Sequence, residues 1–371
     1  MEKLRFALIG CGRISKNHIA AAIANADTME LAVVCDPVLE NAEKKAKDYQ
    51  DAAGSKPAVY ADYKKALEEQ KIDCCAIATE SGYHAEIALY CIRHGKNVLI
   101  EKPMALSTAD AEQMIREAKE HGVTLGVCHQ NRFNEPVQEL HKAIEDGRFG
   151  KLVNGTARIL WNRGMPYYEQ APWRGTWAQD GGTLMNQCIH DIDLLQWCLG
   201  GEPETVMAMT GNYLRDIQAE DFGSILIRFK NGAIGIVEGT ACVYPKNLEE
   251  TLSIFGGTGA VVIGGIAVNR METWNFEKPA EQDSHIAALS GKDPKDVYGS
   301  GHNMLYANYI HAVNTHTDPL VSGTEAIKAM KIILAAYKSQ KTGQPVAFDG
   351  LRFSTLDMDD SDVRYPSCGV K

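Results

Sequence analysis

The sequence predicts an α/β protein in two parts: a doubly wound parallel sheet, then an α+β part built on a large, open, mostly antiparallel sheet. Three observations predict it. Residues 4–128 alternate short, continuously apolar strands with helical segments, the pattern of parallel strands covered on both faces. From about residue 204, strand-like segments follow one another directly, and Asn231-Gly232 supplies a two-residue hairpin turn. With 371 residues and 45% hydrophobic content, the chain exceeds one usual core and has apolar material for two.

In order, LRFALIG, MELAVVCD, a weak strand at Val59-Tyr60, IDCCAIAT, NVLIEKP and VTLGVCH read as strands. Helices near 13–25, 38–50, 62–70, 83–94 and 107–120 separate them, Ser107 being a plausible cap for the last. A helix near 134–147, a strand at 151–161, an aromatic-rich loop and a further helix opening at GGTLMNQCIHDID come next. Strands at about 204–212, 222–230, 233–243, 248–255 and 260–276 follow, with a turn at Gly256-Gly257-Thr258-Gly259. Helical patterns return near 302–316 and 324–340, and the polar tail 354–371, with Asp357, Asp359, Asp360 and Asp362, reads as loosely held. The expected divisions are 1–128, 129–348 and a tail at 349–371.

A net charge of −10 without a basic run argues against a nucleic-acid partner. No apolar run is long enough to span a bilayer, so no membrane partner is expected. The opening MEKLRFALIGCG enters a strand without a secretory leader. Ten cysteines, scattered outside the pair Cys74-Cys75, fit reduced thiols in a cytoplasmic setting.

Gly10-Cys11-Gly12-Arg13-Ile14-Ser15 turns the first strand into the first helix. The first glycine permits the tight turn, the second lets backbone approach a pyrophosphate, and Ser15 is small enough for the third position. Asp36 ends the second strand and can accept from both ribose hydroxyls of an adenosine half. Its charge, with no arginine beside it, favours NAD over NADP. The strand Asn97–Ile100 runs into Glu101-Lys102-Pro103, which puts Lys102 at the cofactor edge of a parallel sheet, unless the charged pair only terminates the strand. In the helix opened by Gly181-Gly182, Asn186, His190, Asp193 and Trp197 share one face. Pattern alone divides that face evenly between solvent and a site. With neither a second histidine at i+4 nor a cysteine pair at C-x-x-C spacing, no metal is expected.

Glu101-Lys102-Pro103 after a strand, the Gly10 fingerprint, Asn131-Arg132-Phe133, Trp173-Arg174 and Gly181-Gly182 leading to His190 together resemble the glucose–fructose oxidoreductase/inositol dehydrogenase (Gfo/Idh/MocA) family, to about residue 348. The resemblance implies a Rossmann domain, an α+β domain whose sheet makes homodimer or homotetramer contacts, and NAD-dependent oxidation of an alcohol carbon of a sugar, cyclitol or nucleotide sugar. It implies catalytic roles for Lys102 and His190. His190 is the candidate base, and Lys102 the stabiliser of the developing alkoxide or a proton relay, with the roles open to exchange.

Gly10, Gly12, Arg13, Ile14, Asp36, Thr79, His84, Glu101 and Lys102 are the expected cofactor residues, joined by Trp173 and Arg174, whose bland alternative is a packed tryptophan beside a surface arginine. Asn186, Asp193 and Arg132 are the expected substrate residues, an ion pair being the alternative for Arg132. Tyr167, Tyr168 and Trp161 form either a sugar platform or ordinary packing. The family usually has aspartate where this chain has Asn186, a departure that weakens a plain inositol dehydrogenase reading. Two other functions fit the same fold: a redox-assisted glycosidase, and an NAD- or sugar-sensing regulator without turnover.

Overall fold

The computed structural model describes residues 2–289 and 301–364. In chain order the elements begin β1 (Leu4–Ile9), α1 (Ser15–Ala24), β2 (Met29–Cys35), α2 (Leu39–Ala53), β3 (Ala58–Tyr60), α3 (Tyr63–Glu69), β4 (Cys74–Ile77), α4 (His84–Arg93), β5 (Asn97–Ile100), α5 (Thr108–His121) and β6 (Leu125–Val127). The six strands form one parallel sheet in the order β3-β2-β1-β4-β5-β6. This doubly wound order reverses direction beside β1, so β1 and β4 diverge at the crevice where such sheets take ligands. Every residue of β4 and all but the first of β5 is buried, which explains why these strands read as unbroken apolar runs.

The chain continues through α6 (Glu135–Glu145), β7 (Leu152–Leu160), α7 (Met165–Tyr168), α8 (Thr183–Asn186), α9 (Ile189–Cys198), β8 (Pro203–Gly211), β9 (Phe222–Phe229), β10 (Ile234–Thr240), β11 (Glu249–Gly256), β12 (Gly259–Gly264), β13 (Arg270–Phe276), α10 (Asp283–Ala287), α11 (Gly301–Thr315), α12 (Gly323–Thr342) and β14 (Val346–Ala347). The eight strands form a second sheet, β13-β12-β11-β7-β10-β9-β8-β14, antiparallel except where β10 runs parallel to β7. Alternate residues of β9 are buried, as a sheet with one covered face requires.

Contacts divide the described residues into two compact units, those within 2–105, 110–130 and 301–327 in one, the remaining described residues in the other. Helix α11 thus belongs to the first unit, although the sequence reading put it in the 129–348 part. Its Tyr306 and Tyr309 rings pack on Phe6 of β1, at 5.7 and 6.3 Å between centroids, so aromatic burial rather than chain order assigns it.

Three local expectations differ from the structure. The strand expected at 260–276 is an antiparallel pair, β12 and β13, turned at Gly264-Gly265. The single amphipathic helix expected from Thr183 is two, α8 and α9, and every residue of α9 except Trp197 is buried. The tail from 354 to 364 is held in place: Ser354 caps a 3₁₀ turn with Asp357, the Thr355 hydroxyl donates to Trp177 O at 2.6 Å, and Val363 O accepts Asn212 N–H at 2.8 Å. Residues 365–371 lie outside the described residues.

Candidate active site

In the first unit, β1 delivers the glycine loop to α1. Gly10 has φ +96°, and a Cβ there would lie 2.5 Å from Ala78 O, so both conformation and space demand glycine. A Cβ on the exposed Gly12 would meet nothing within 4 Å, leaving the backbone face that a pyrophosphate needs. Ser15 is buried and its hydroxyl donates to Gly12 O at 2.6 Å, closing the loop. Arg13 is exposed, and Ile14 is the residue from which α1 starts. Asp36 accepts the Cys11 and Val38 N–H groups, each at 2.9 Å, tying the end of β2 to the loop. The donors and shapes of a dinucleotide site are therefore together, and they fit NAD.

The β4 and β5 ends complete this edge. His84 is buried, with Nδ1 at 2.7 Å from Pro103 O and Nε2 at 3.2 Å from Thr79 O, so it joins the turn after β4 to the turn carrying Lys102. Burial depresses its imidazole, against the pull of these two carbonyls and of Glu101. Glu101 is buried and accepts from His18 Nε2 at 3.1 Å, His302 Nε2 at 3.3 Å and the Lys102 N–H at 3.3 Å. Burial alone would raise its carboxyl, but the two histidine hydrogen bonds hold it well below the usual carboxylate range. Lys102 itself is half-buried.

In the second unit the glycine pair seats α8. Gly182 admits no side chain, since a Cβ would lie 1.6 Å from Glu220 Oε2. Glu220 Oε1 accepts Leu184 N–H at 2.8 Å and the Tyr337 hydroxyl at 3.0 Å, and Tyr337 in turn accepts Gly182 N–H at 3.2 Å. Burial pushes the Glu220 carboxyl up to about 8, although its backbone and tyrosine hydrogen bonds act the other way. This anchor, unseen in the sequence, positions the turn from which His190 follows. His190 is 7% exposed. Asn186 donates through Nδ2 to buried Asp180, which also accepts Gly175 N–H at 2.7 Å. Asn186 Oδ1 accepts from Gln187 at 3.2 Å, and Gln187 also donates to Tyr167 OH at 3.2 Å.

Two expected substrate ligands are instead partners of each other. Arg132 Nε and Nη2 each donate to one Asp193 oxygen at 2.7 Å, and both side chains are fully buried. Arg132 also lies 4.7 Å from the Trp197 ring centroid, whose other neighbour is the stacked His141 ring at 3.6 Å. The charge of Asp193 is thus met bidentately inside the core. Of the aromatic candidates, Trp161 and Tyr168 are buried and pack. Tyr167 takes a 2.6 Å hydrogen bond from Arg174, which lies over the Tyr167 and Trp173 rings at 4.4 and 4.5 Å.

Sequence reasoning missed His18, His302, Tyr306, Asp180, Glu220 and Tyr337. The spacing of His302 and Tyr306, one turn apart on α11, was the one available signal, and their partners lie far away in the chain.

The family model described as the oxidoreductase family, NAD-binding Rossmann fold, matches residues 4–129, and that of the GFO/IDH/MocA C-terminal domain matches residues 137–262. A myo-inositol 2-dehydrogenase of Thermotoga maritima is 26% identical over 93% of this chain and 99% of its own. A scyllo-inositol 2-dehydrogenase (NAD+) of Bacillus subtilis is 24% identical over 95% of this chain and 99% of its own. The crystal structure of the WlbA dehydrogenase from Bordetella pertussis, in complex with NADH and UDP-GlcNAcA, is 36% identical, covers 94% of this chain and 98% of its own, and has a TM-score of 0.84.

Proposed function

The chain belongs to the Gfo/Idh/MocA family of NAD-binding oxidoreductases, and from that premise we propose that it oxidises a ring hydroxyl of a nucleotide sugar. The observation that carries the substrate class is the 36% identity, across 94% of the chain, to a dehydrogenase crystallised with UDP-GlcNAcA, against 26% to an inositol dehydrogenase. Asn186 supports the same reading. It takes the place of the family's usual aspartate, and its amide donates to Asp180, so position 186 itself carries no carboxylate to accept from a cyclitol hydroxyl.

Gly10, Gly12, Arg13, Ile14, Asp36, Thr79, His84, Glu101 and Lys102 hold the cofactor, with Trp173 and Arg174 as further contacts. NAD, when bound, supplies the hydride acceptor. His190 takes the proton of the reacting hydroxyl, and the Lys102 ammonium donates to the oxygen as negative charge develops on it. Asn186 orients a neighbouring hydroxyl.

The protein further assembles as a homodimer or homotetramer through its second sheet. Met207 and Ile236 each pair with Leu226, making a solvent-facing apolar row across β8, β9 and β10, and these residues are 39%, 37% and 53% exposed. Light scattering after chromatography is expected to give two or four chains, falling to one in Leu226→Glu.

The test of function follows reduced-nicotinamide absorbance with NAD and UDP-sugars, hexoses, hexose phosphates and inositols. A UDP-sugar is expected to exceed myo-inositol about a hundredfold or more in kcat/KM. Preference for an inositol would overturn the substrate class. Sugar release from an aryl glycoside without net NADH would install the glycosidase reading, and NAD binding without turnover the sensing one.

A further inference from the structure

Resting on the role of Lys102 given above, we propose that His18 and His302 are positioning residues for it: they clamp the Glu101 carboxylate against the Lys102 N–H and so fix the backbone corner from which the lysine side chain leaves.

The clamp joins three remote stretches: α1, which leads out of the glycine loop, the end of β5, and the first turns of α11. The Tyr306 hydroxyl lies 2.7 Å from His18 Nδ1. With Tyr306 donating there, the His18 proton sits on Nε2 and faces Glu101 Oε1 at 3.1 Å. His302 Nε2 delivers a second N–H to the same oxygen at 3.3 Å, and Oε2 takes the Lys102 N–H at 3.3 Å. The His18, His302 and Glu101 side chains are 1%, 3% and 8% exposed, so the carboxylate has little water to solvate it and depends on these donors. Burial depresses the His18 imidazole despite the neighbouring carboxylate, and His18 serves as a neutral donor.

Among the described residues His302 Nδ1 lacks a hydrogen-bond partner, and the side chain's single hydrogen bond is the one to Glu101. A residue needed only to fill space would be apolar there, because a buried, unsatisfied nitrogen is destabilising. The three side chains also have one ligand atom each within 4.8 Å of the others. Here the imidazole nitrogens facing Glu101 act as hydrogen-bond donors, which is incompatible with ligating a cation at the same time.

The test compares His302→Phe, which has the bulk but no donor, with His302→Gln, which keeps one. The readout is amide hydrogen exchange at Lys102. In His302→Phe this amide is expected to exchange about tenfold faster, while in His302→Gln it stays within about twofold of wild type. The amides of Val98, Leu99 and Ile100 are expected to be unchanged in both, which separates the clamp from general destabilisation. With a substrate that supports turnover, kcat falls about tenfold in His302→Phe and KM for NAD does not move. Unchanged Lys102 exchange in His302→Phe overturns the proposal, as does faster exchange with wild-type kcat, or one tightly bound metal ion per chain in the purified protein. Wild-type protein that leaves NAD unreduced with every UDP-sugar, hexose, hexose phosphate and inositol refutes the dehydrogenase reading instead, and the exchange result then decides by itself whether the clamp holds Lys102.

Discussion

Asp193→Asn is expected to destabilise the protein by about 3–5 kcal/mol, the loss that follows when one partner of a buried ion pair is removed. The size follows from geometry: Arg132 and Asp193 are both at 0% exposure and share two 2.7 Å charge-assisted hydrogen bonds. Asparagine can accept one of these bonds but returns no charge, so the buried guanidinium loses its bidentate anionic partner, while the Trp197 ring stays 4.7 Å away. For a unit of this size the loss lowers the melting midpoint by on the order of 10 °C. Calorimetry and urea titration measure it, and the double variant Arg132→Met with Asp193→Leu is expected to recover most of the loss, because two apolar side chains remove the desolvation penalty together with the attraction. The reasoning is refuted if Asp193→Asn melts like wild type while its KM for the sugar rises. That outcome would return Asp193 to the role of a hydroxyl ligand, which its helical spacing suggested.

Gly12→Ala is expected to leave the melting midpoint within about 1 °C, since its Cβ meets nothing, while weakening NADH binding about tenfold or more by fluorescence titration; Gly10→Ala loses both stability and binding. Asn186→Asp sets a carboxylate against its present acceptor, Asp180, so one of the two must hold a proton. Its midpoint is expected to drop by the equivalent of about 1–3 kcal/mol at pH 8 and recover toward pH 5, and a pH-independent midpoint would count against the contact. Glu220, whose carboxyl is raised to about 8, contributes stability that is complete below its unfolded value of about 4.3 and is lost as pH rises to about 8. Glu220→Gln is therefore expected to gain on wild type between pH 5 and pH 8, by a few kcal/mol at most, and parallel midpoints across that range would exclude the shift.

Much of the fold was legible because its signals are local. The apolar runs of β4 and β5, the turn at Asn231-Gly232 and the glycine fingerprint each declare themselves within a few residues, and the parallel order around β1 follows from strands separated by helices. The polar face of the helix after Gly182 was not legible in the same way. Helical spacing grouped Asn186, His190 and Asp193, but α9 is buried on nearly every side, and Asp193 answers to Arg132, 61 positions away in the chain.

By itself, then, the sequence determined the two sheets, the dinucleotide loop and the turns that carry Lys102 and His190, because backbone conformation and apolar periodicity are short-range properties. Only the tertiary structure decided that Asp193 belongs to Arg132, that Glu220 and Tyr337 hold the glycine pair, and that Glu101 is gripped by His18 and His302. These pairings join residues 61, 117, 83 and 201 positions apart. A buried charge must find its partner wherever packing brings one, and no local pattern records where that is.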